Sequence, residues 1–214
     1  MIDTLLHLLF PERCQGCNTP GIALCSDCLK TIPLSDTIYS TENAYALYTY
    51  EHPIVRRAIW ELKYFRKSSL TKVLAEGAAD RIAAHITGPV ILVPIPQHYT
   101  KTFSRGFNQS VSIAKWIQKI VPETTVSQVL KKVRSTTAQA KTQSKAERAE
   151  NMMGTMVSKK ILDDTAVYVL VDDVITTGST IYEASRALRA AGAEHIYCVA
   201  IAHGSAISRN GLSA

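Results

Sequence analysis

Val167-Tyr-Val-Leu-Val-Asp172-Asp173-Val-Ile-Thr176-Thr177-Gly178-Ser179-Thr180 is the stretch whose reading decides the fold. Apolar, mostly β-branched residues occupy both parities from Val167 to Val171. That pattern predicts a strand buried on both faces. Ile181, Ala184, Leu188 and Ala191 then fall at helical spacing, and Gly192 supplies a stop, so a helix is expected over 181–191. Strand, tight loop and helix together place a loop at the carboxyl edge of a parallel sheet, where α/β proteins bind ligands. The expected class is α/β, with a doubly wound parallel sheet.

The residue types of the loop define its chemistry. Thr176, Thr177, Ser179 and Thr180 offer four hydroxyls, and the backbone N–H groups at a helix N-terminus favour an anion such as a phosphate. Gly178 allows close backbone approach and a positive φ. No lysine lies in the loop, which excludes the Gly-Lys-Ser/Thr loop of nucleoside triphosphatases. Asp172 and Asp173, acceptor-only when ionised, suit a pair of vicinal hydroxyls. A sugar with a 2′,3′-diol and a 5′-phosphate satisfies both halves.

At 214 residues the chain supports one ordinary domain and a small appendage. A hydrophobic content of 46% with 20% charged residues is globular, and no apolar run approaches the roughly 20 residues of a membrane span. Met1 to Phe10 is apolar but carries Asp3 and lacks a basic leader, so a short docking helix is expected and a cytoplasmic location follows, with peripheral association at the inner membrane allowed. The net charge of +6 permits a polyanionic partner without requiring one.

Four of the five cysteines form Cys14-x2-Cys17-x7-Cys25-x2-Cys28. Two Cys-x-x-Cys knuckles suit tetrahedral thiolate coordination of Zn2+, and Pro20-Gly21 lets the chain reverse between them. A pair of disulfides is the rival reading, and it requires an oxidising compartment. Cys198, alone in an apolar run, reads as a small buried hydrophobe. Residues 1–35 thus form an N-terminal helix and zinc ribbon, too small to fold without metal. Residues 44–204 form the main domain and 205–214 a tail, with a polar linker over 33–43.

Within the main domain, strands are expected at 44–50, 90–93 and 195–202, and helices at 53–65, 69–86 and from Gln109 onward. Pro94-Ile-Pro96 makes a stiff turn that allows a cis X-Pro bond. Arg105, just before a helix, has the reach and fork geometry for a phosphate oxygen, though an ordinary helix-start arginine fits as well. Lys131, Lys132, Arg134, Lys141, Lys145 and Arg148 make a basic, polar stretch low in large apolar residues. Such a stretch is either a functional loop or a solvated surface.

The acids followed by Val-Ile-Thr-Thr-Gly-Ser-Thr resemble the phosphoribosyl pyrophosphate (PRPP) motif of type I phosphoribosyltransferases. More of the chain resembles one family. Leu8-Leu-Phe-Pro-Glu-Arg-Cys14, the four-cysteine ribbon and Leu62-Lys63-Tyr64 are similar to the ComF family. So are Val93-Pro-Ile-Pro96, Arg105-Gly-Phe-Asn-Gln109, Thr136 with Gln139, and Glu147-Arg-Ala-Glu-Asn151. The chain departs from the family in having only Lys101 as a basic residue between Pro96 and Arg105, and Ser135-Thr-Thr137 where relatives often place prolines.

The resemblance implies a zinc ribbon on a type I phosphoribosyltransferase-like domain, with structural Zn2+ on Cys14, Cys17, Cys25 and Cys28. It implies Mg2+-dependent binding of PRPP, Asp172 and Asp173 holding the ribose and Thr176, Thr177, Gly178, Ser179 and Thr180 the 5′-phosphate. Arg105, Lys132 and Arg148 are then the candidates for neutralising pyrophosphate under a closing loop. The implied role is DNA uptake in natural transformation, through handling of incoming single-stranded DNA. Tyr45, Tyr48, Tyr50, Tyr64 and Phe65 are candidate stacking residues. The alternative is a PRPP sensor or adaptor without catalysis, its ribbon docking on a DNA-processing partner such as a competence helicase or recombination mediator.

Overall fold

A computed structural model describes residues 11–35, 38–39, 43–65, 68–97, 106–134 and 152–204. In chain order the N-terminal part contributes α1 (Ser26–Lys30), β1 (Ile38–Tyr39), β2 (Ala44–Thr49), α2 (Pro53–Phe65), α3 (Ser68–His85) and β3 (Val90–Pro94). Next come α4 (Gln109–Ile120), β4 (Thr124–Val126), β5 (Leu130–Lys132) and β6 (Met156–Ser158). The chain continues through β7 (Val167–Ile175), α5 (Ser179–Arg189) and β8 (His195–His203).

Six strands form one sheet in the order β1-β2-β8-β7-β3-β4. Only β1 runs antiparallel to its neighbour; β2, β8, β7, β3 and β4 are parallel. A strand flanked on both sides must be apolar on both faces, and β7 meets that requirement. Val169 and Val171 join α2, α3 and α4 in one apolar cluster. Tyr168 and Leu170 join Ile181, Ala184 and Leu188 of α5 in the other. Helices cover both faces, so the expected doubly wound sheet is observed. Strands β5 and β6 form a separate antiparallel ribbon beside α5, with Lys132 opposite Met156. Cys198 is buried in the second cluster.

The structure extends several sequence expectations. Strand β7 does not stop at Val171 but runs through the acids, with Asp172 opposite Ala200 and Ile175 opposite His203. The reason is the long partner β8, whose backbone continues to offer hydrogen bonds past the apolar run. Helix α5 starts at Ser179, two residues earlier than the apolar spacing suggests. The peptide bonds before Pro94 and Pro96 are trans, so the cis bond allowed by the sequence is absent. No helix among the described residues is long and apolar enough to cross a membrane.

The cysteine-bearing segment is not set apart from the sheet. Cys14, Ala23, Leu24 and Ile32 belong to the same apolar cluster as Val55, Ala58 and Ile59 of α2. The expected docking helix at 1–10 and the tail at 205–214 lie outside the described residues.

Candidate functional site

Because β2, β8, β7 and β3 are parallel, their carboxyl ends gather on one edge, and the sugar-phosphate residues expected from sequence all sit there. Asp172 and Asp173 occupy the last turn of the β7 pleat. Asp172 is half-buried. Its Oδ1 accepts the Ser110 hydroxyl at 3.1 Å and the Asp173 amide at 2.9 Å. Burial, and then the Asp173 charge beside it, push the Asp172 carboxyl up to about 7, against the Asp173 amide, the Ser110 hydroxyl and the Lys63 charge. Asp173 is buried, and Lys63 Nζ lies 3.3 Å from its Oδ2. Geometrically that oxygen receives no hydrogen bond, so the contact is one of charge. Lys63 comes from α2 and Ser110 from α4, helices of the same layer.

Thr176 to Thr180 turns from β7 into α5. Gly178 holds φ +78°, a left-handed conformation that glycine adopts at least cost, and an added Cβ would meet nothing within 4 Å. As N-cap it supplies no side-chain hydrogen bond of its own to the first turn of α5. The Thr177 and Ser179 hydroxyls lie 2.9 Å apart, and the Ser179 amide donates to Thr177 Oγ1 at 3.4 Å. Thr176 is exposed and Thr180 half-buried. A helix start ringed by hydroxyls has the chemistry of an anion site.

Four residues that the residue-type reading passed over shape this edge. Asn108 caps α4 by accepting the Ser110 amide at 3.0 Å, and its Nδ2 donates to the Ile95 carbonyl at 2.9 Å. Gln109 is buried, accepts from Gln97 Nε2 and donates to the Lys63 carbonyl at 3.5 Å. The turn after β3 is thereby tied both to α4 and to the end of α2. An Asx cap before an apolar helical run is a legible signal for Asn108 and Ser110. Lys63 is one cation among several on α2, and spacing alone does not separate it from Arg56 and Arg57.

Among the pyrophosphate candidates, Lys132 lies on β5, half-buried, on the ribbon that packs on α5. Arg105 and Arg148, His98, and the basic loop over 135–151 lie outside the described residues. The ribbon is held from below. Glu183, buried on α5, accepts the Met156 amide at 2.9 Å and is gripped by Arg186 at 2.7 and 3.0 Å. The Arg186 Nη2 also donates to the Met156 carbonyl at 3.2 Å. Burial raises Glu183, but the Arg186 and Met156 bonds overcome it and hold the carboxyl below its usual value.

The ligand atoms of Cys14, Cys17, Cys25 and Cys28 lie within 4.8 Å of one another. Cys14–Cys25 and Cys17–Cys25 are 3.6 and 3.8 Å apart. Tetrahedral bonds of about 2.3 Å put sulfurs about 3.8 Å apart, so the set fits Zn2+. The Gly16 and Cys25 amides each donate to Cys14 Sγ at 3.4 Å. Burial works against the Cys14 thiolate, but these amides bring the thiol down to about 6, while the neighbouring Cys25 sulfur, then burial, pushes Cys28 up to about 12. Crowded sulfurs of that kind call for a cation between them. A Cβ on Gly16 would stand 2.3 Å from Cys28 Sγ, so the first knuckle requires glycine.

Comparison with known proteins places this edge in context. The model of the phosphoribosyl transferase domain matches residues 108–209. Competence protein F from Haemophilus influenzae is 28% identical over 178 residues, covering 80% of this chain and 75% of that protein. DNA utilization protein YhgH from Salmonella typhimurium is 26% identical over 196 residues, covering 87% and 82%. A hypoxanthine phosphoribosyltransferase from Staphylococcus aureus superposes with a TM-score of 0.39 and 9% identity over 67% of this chain and 68% of that chain, too distant to add to the topology.

Proposed function

We propose that this chain, whose likeness to competence protein F, to DNA utilization protein YhgH and to the phosphoribosyl transferase domain supports a ComF-family protein, binds PRPP with Mg2+ and handles single-stranded DNA entering the cell in natural transformation. The observation that carries the first half is the β7–α5 junction, where two adjacent carboxylates precede a left-handed glycine and a helix start. In this reading Asp172 and Asp173 take the ribose hydroxyls, and Thr176 to Thr180 the 5′-phosphate. Mg2+ would come with the ligand and offset its phosphate charge, drawing few ligands from the protein. Lys132, Arg105 and Arg148 are the candidates for neutralising the departing pyrophosphate. If transfer occurs, the bond from ribose C1 to the pyrophosphate oxygen breaks, pyrophosphate leaves with the electron pair, and a nucleophilic acceptor bonds to C1.

Support for the second half comes from α2. Trp60 is 51% exposed and Tyr64 56%, with ring centroids 5.3 Å apart, and Arg56 and Arg57 are exposed on the same helix. Aromatic faces beside cations suit unpaired bases, each stack worth about 1–3 kcal/mol. The other candidates fit less well: Tyr48 is buried, Tyr45 and Tyr50 are half-buried, and the side chain of Phe65 lies outside the description.

The test is a calorimetric titration with Mg2+–PRPP, with and without single-stranded DNA, alongside pyrophosphate release. Asp172→Ala/Asp173→Ala should abolish PRPP binding. Trp60→Ala/Tyr64→Ala should weaken DNA binding, whose salt slope is about −0.7 per phosphate engaged. Failure of the protein to bind PRPP at about millimolar concentration would remove the first half. A non-catalytic sensor or adaptor is the second reading, favoured by Ile22 and Leu34, exposed apolar residues beside the cysteines that suit a docking partner. PRPP binding without pyrophosphate release would select it.

A further inference from the structure

We propose that Lys63 is a working member of the sugar-phosphate site, the positioning residue that supplies the counter-charge to Asp173 and aims its carboxylate; this rests on the reading of that site given above. Lys63 stands in the last turn of α2, where the helix dipole favours a cation. Its side chain is 27% exposed, whereas that of Asp173 is 13% exposed. Water therefore reaches the ammonium more readily than the carboxylate. The 3.3 Å contact brings charge to the buried Asp173 Oδ2 without an aligned hydrogen bond, so Lys63 fixes the carboxylate from the protein side by charge.

Two adjacent carboxylates on one strand resist joint ionisation. Among the described residues, the charged groups against Asp173 are Asp172 from β7 and Lys63 from α2; α4 contributes the neutral Ser110 hydroxyl to Asp172, and β8 contributes Ala200 and Ala202 alongside. Lys63 is thus the counter-charge that the packed elements supply. Without it the two neighbouring carboxyls would face each other with no cation against them, and Asp173 would lose the contact that orients it. The lysine is fastened as well as placed. Gln109, buried and joined to Gln97, donates to its carbonyl. The turn after β3 and the cation on the acids are therefore set by one side chain. Arg56 and Arg57, exposed two turns back, have no such tie to the acids.

The experiment compares the wild type with Lys63→Met, Lys63→Gln and Lys63→Arg. Carbon-13 carboxyl shifts of Asp172 and Asp173 are followed in the ligand-free protein between about pH 5 and 9. Affinities for ribose 5-phosphate and Mg2+–PRPP are measured over the same range. Lys63→Met and Lys63→Gln should move the Asp172 titration upward by about one pH unit, since the Lys63 charge holds it down. They should weaken both ligands about tenfold near neutrality, with the loss shrinking at higher pH, and Lys63→Arg should restore most of it. Little further loss should follow when Lys63→Met is added to Asp173→Asn. If the wild type binds both ligands while the neutral variants leave titration and affinity unmoved, even with a lower melting temperature, this role for Lys63 is overturned and the site stands. If the wild type binds neither ligand, the reading of the site goes and this inference with it.

Discussion

Glu183 and Arg186 close a two-pronged ion pair within a single turn of α5, and the same Glu183 carboxylate accepts the Met156 amide of β6. One buried side chain thus joins the helix that follows the Thr176–Thr180 loop to strand β6. The β5–β6 ribbon makes few strand bonds of its own, so its position depends on this clamp.

Glu183→Ala should cost about 2–3 kcal/mol, because it strands the Met156 amide and leaves Arg186 without its partner. Arg186 is partly solvated, which places the cost at the low end for a buried pair. Because the native Glu183 carboxyl lies below its unfolded value, its contribution is complete above that value and is lost as pH falls through the native one. Urea melts of the wild type and the variant should converge on acidification.

Asp172 should impose the opposite trend. Its native carboxyl is raised to about 7 from an ordinary 3.8, so the unfolded chain ionises first as pH rises. Its contribution to stability should decline from about pH 4 and level off above about 7. Asp172→Asn should flatten that limb in urea melts and gain stability at alkaline pH, while losing affinity for ribose 5-phosphate.

Gly178→Ala should cost about 1 kcal/mol of stability, since a Cβ meets no neighbour and only the left-handed φ is strained. Gly16→Ala should behave differently, because the added carbon strikes Cys28 Sγ. There the stored thermal midpoint should fall together with zinc affinity, the latter by about tenfold or more.

Metal analysis should find about one zinc per chain, bound by four thiolates. Chelation, or Cys14→Ser, should lower the melting temperature of the entire protein by about 10 °C or more, not merely unravel its first residues, given the shared apolar cluster. A melt with an unchanged main transition after complete zinc removal would contradict that coupling.

Much of this arrangement can be read from residue order alone. The β7 strand, α5, the acid pair and the glycine loop declare themselves because each carries a local physical requirement: both-face burial, helical spacing, ionised acceptors, a positive φ. The four-cysteine set is legible for the same reason. What escapes is whatever depends on meeting a distant segment. Lys63 and Asp173 are 110 positions apart in sequence, and nothing in the spacing of α2 marks which cation reaches the sheet edge. Short β6 carries only Met156-Val-Ser158, too little pattern to outweigh its polar surroundings, and it exists because Glu183 and β5 supply its partners. The apolar pattern ends at Val171, and the extension of β7 through the aspartates to Ile175 follows from β8 continuing beside them, which no local pattern shows.

Cys14 and Leu24 share their packing with Val55 and Ile59, so the knuckles are built into the trunk of the molecule. An oxidant that welded two of those thiols into a disulfide would leave the set two ligands short of a tetrahedral site. The damage would register in the layer of helices that carries Lys63 and Ser110, tying the carboxyl edge of the sheet to the reducing power of its surroundings.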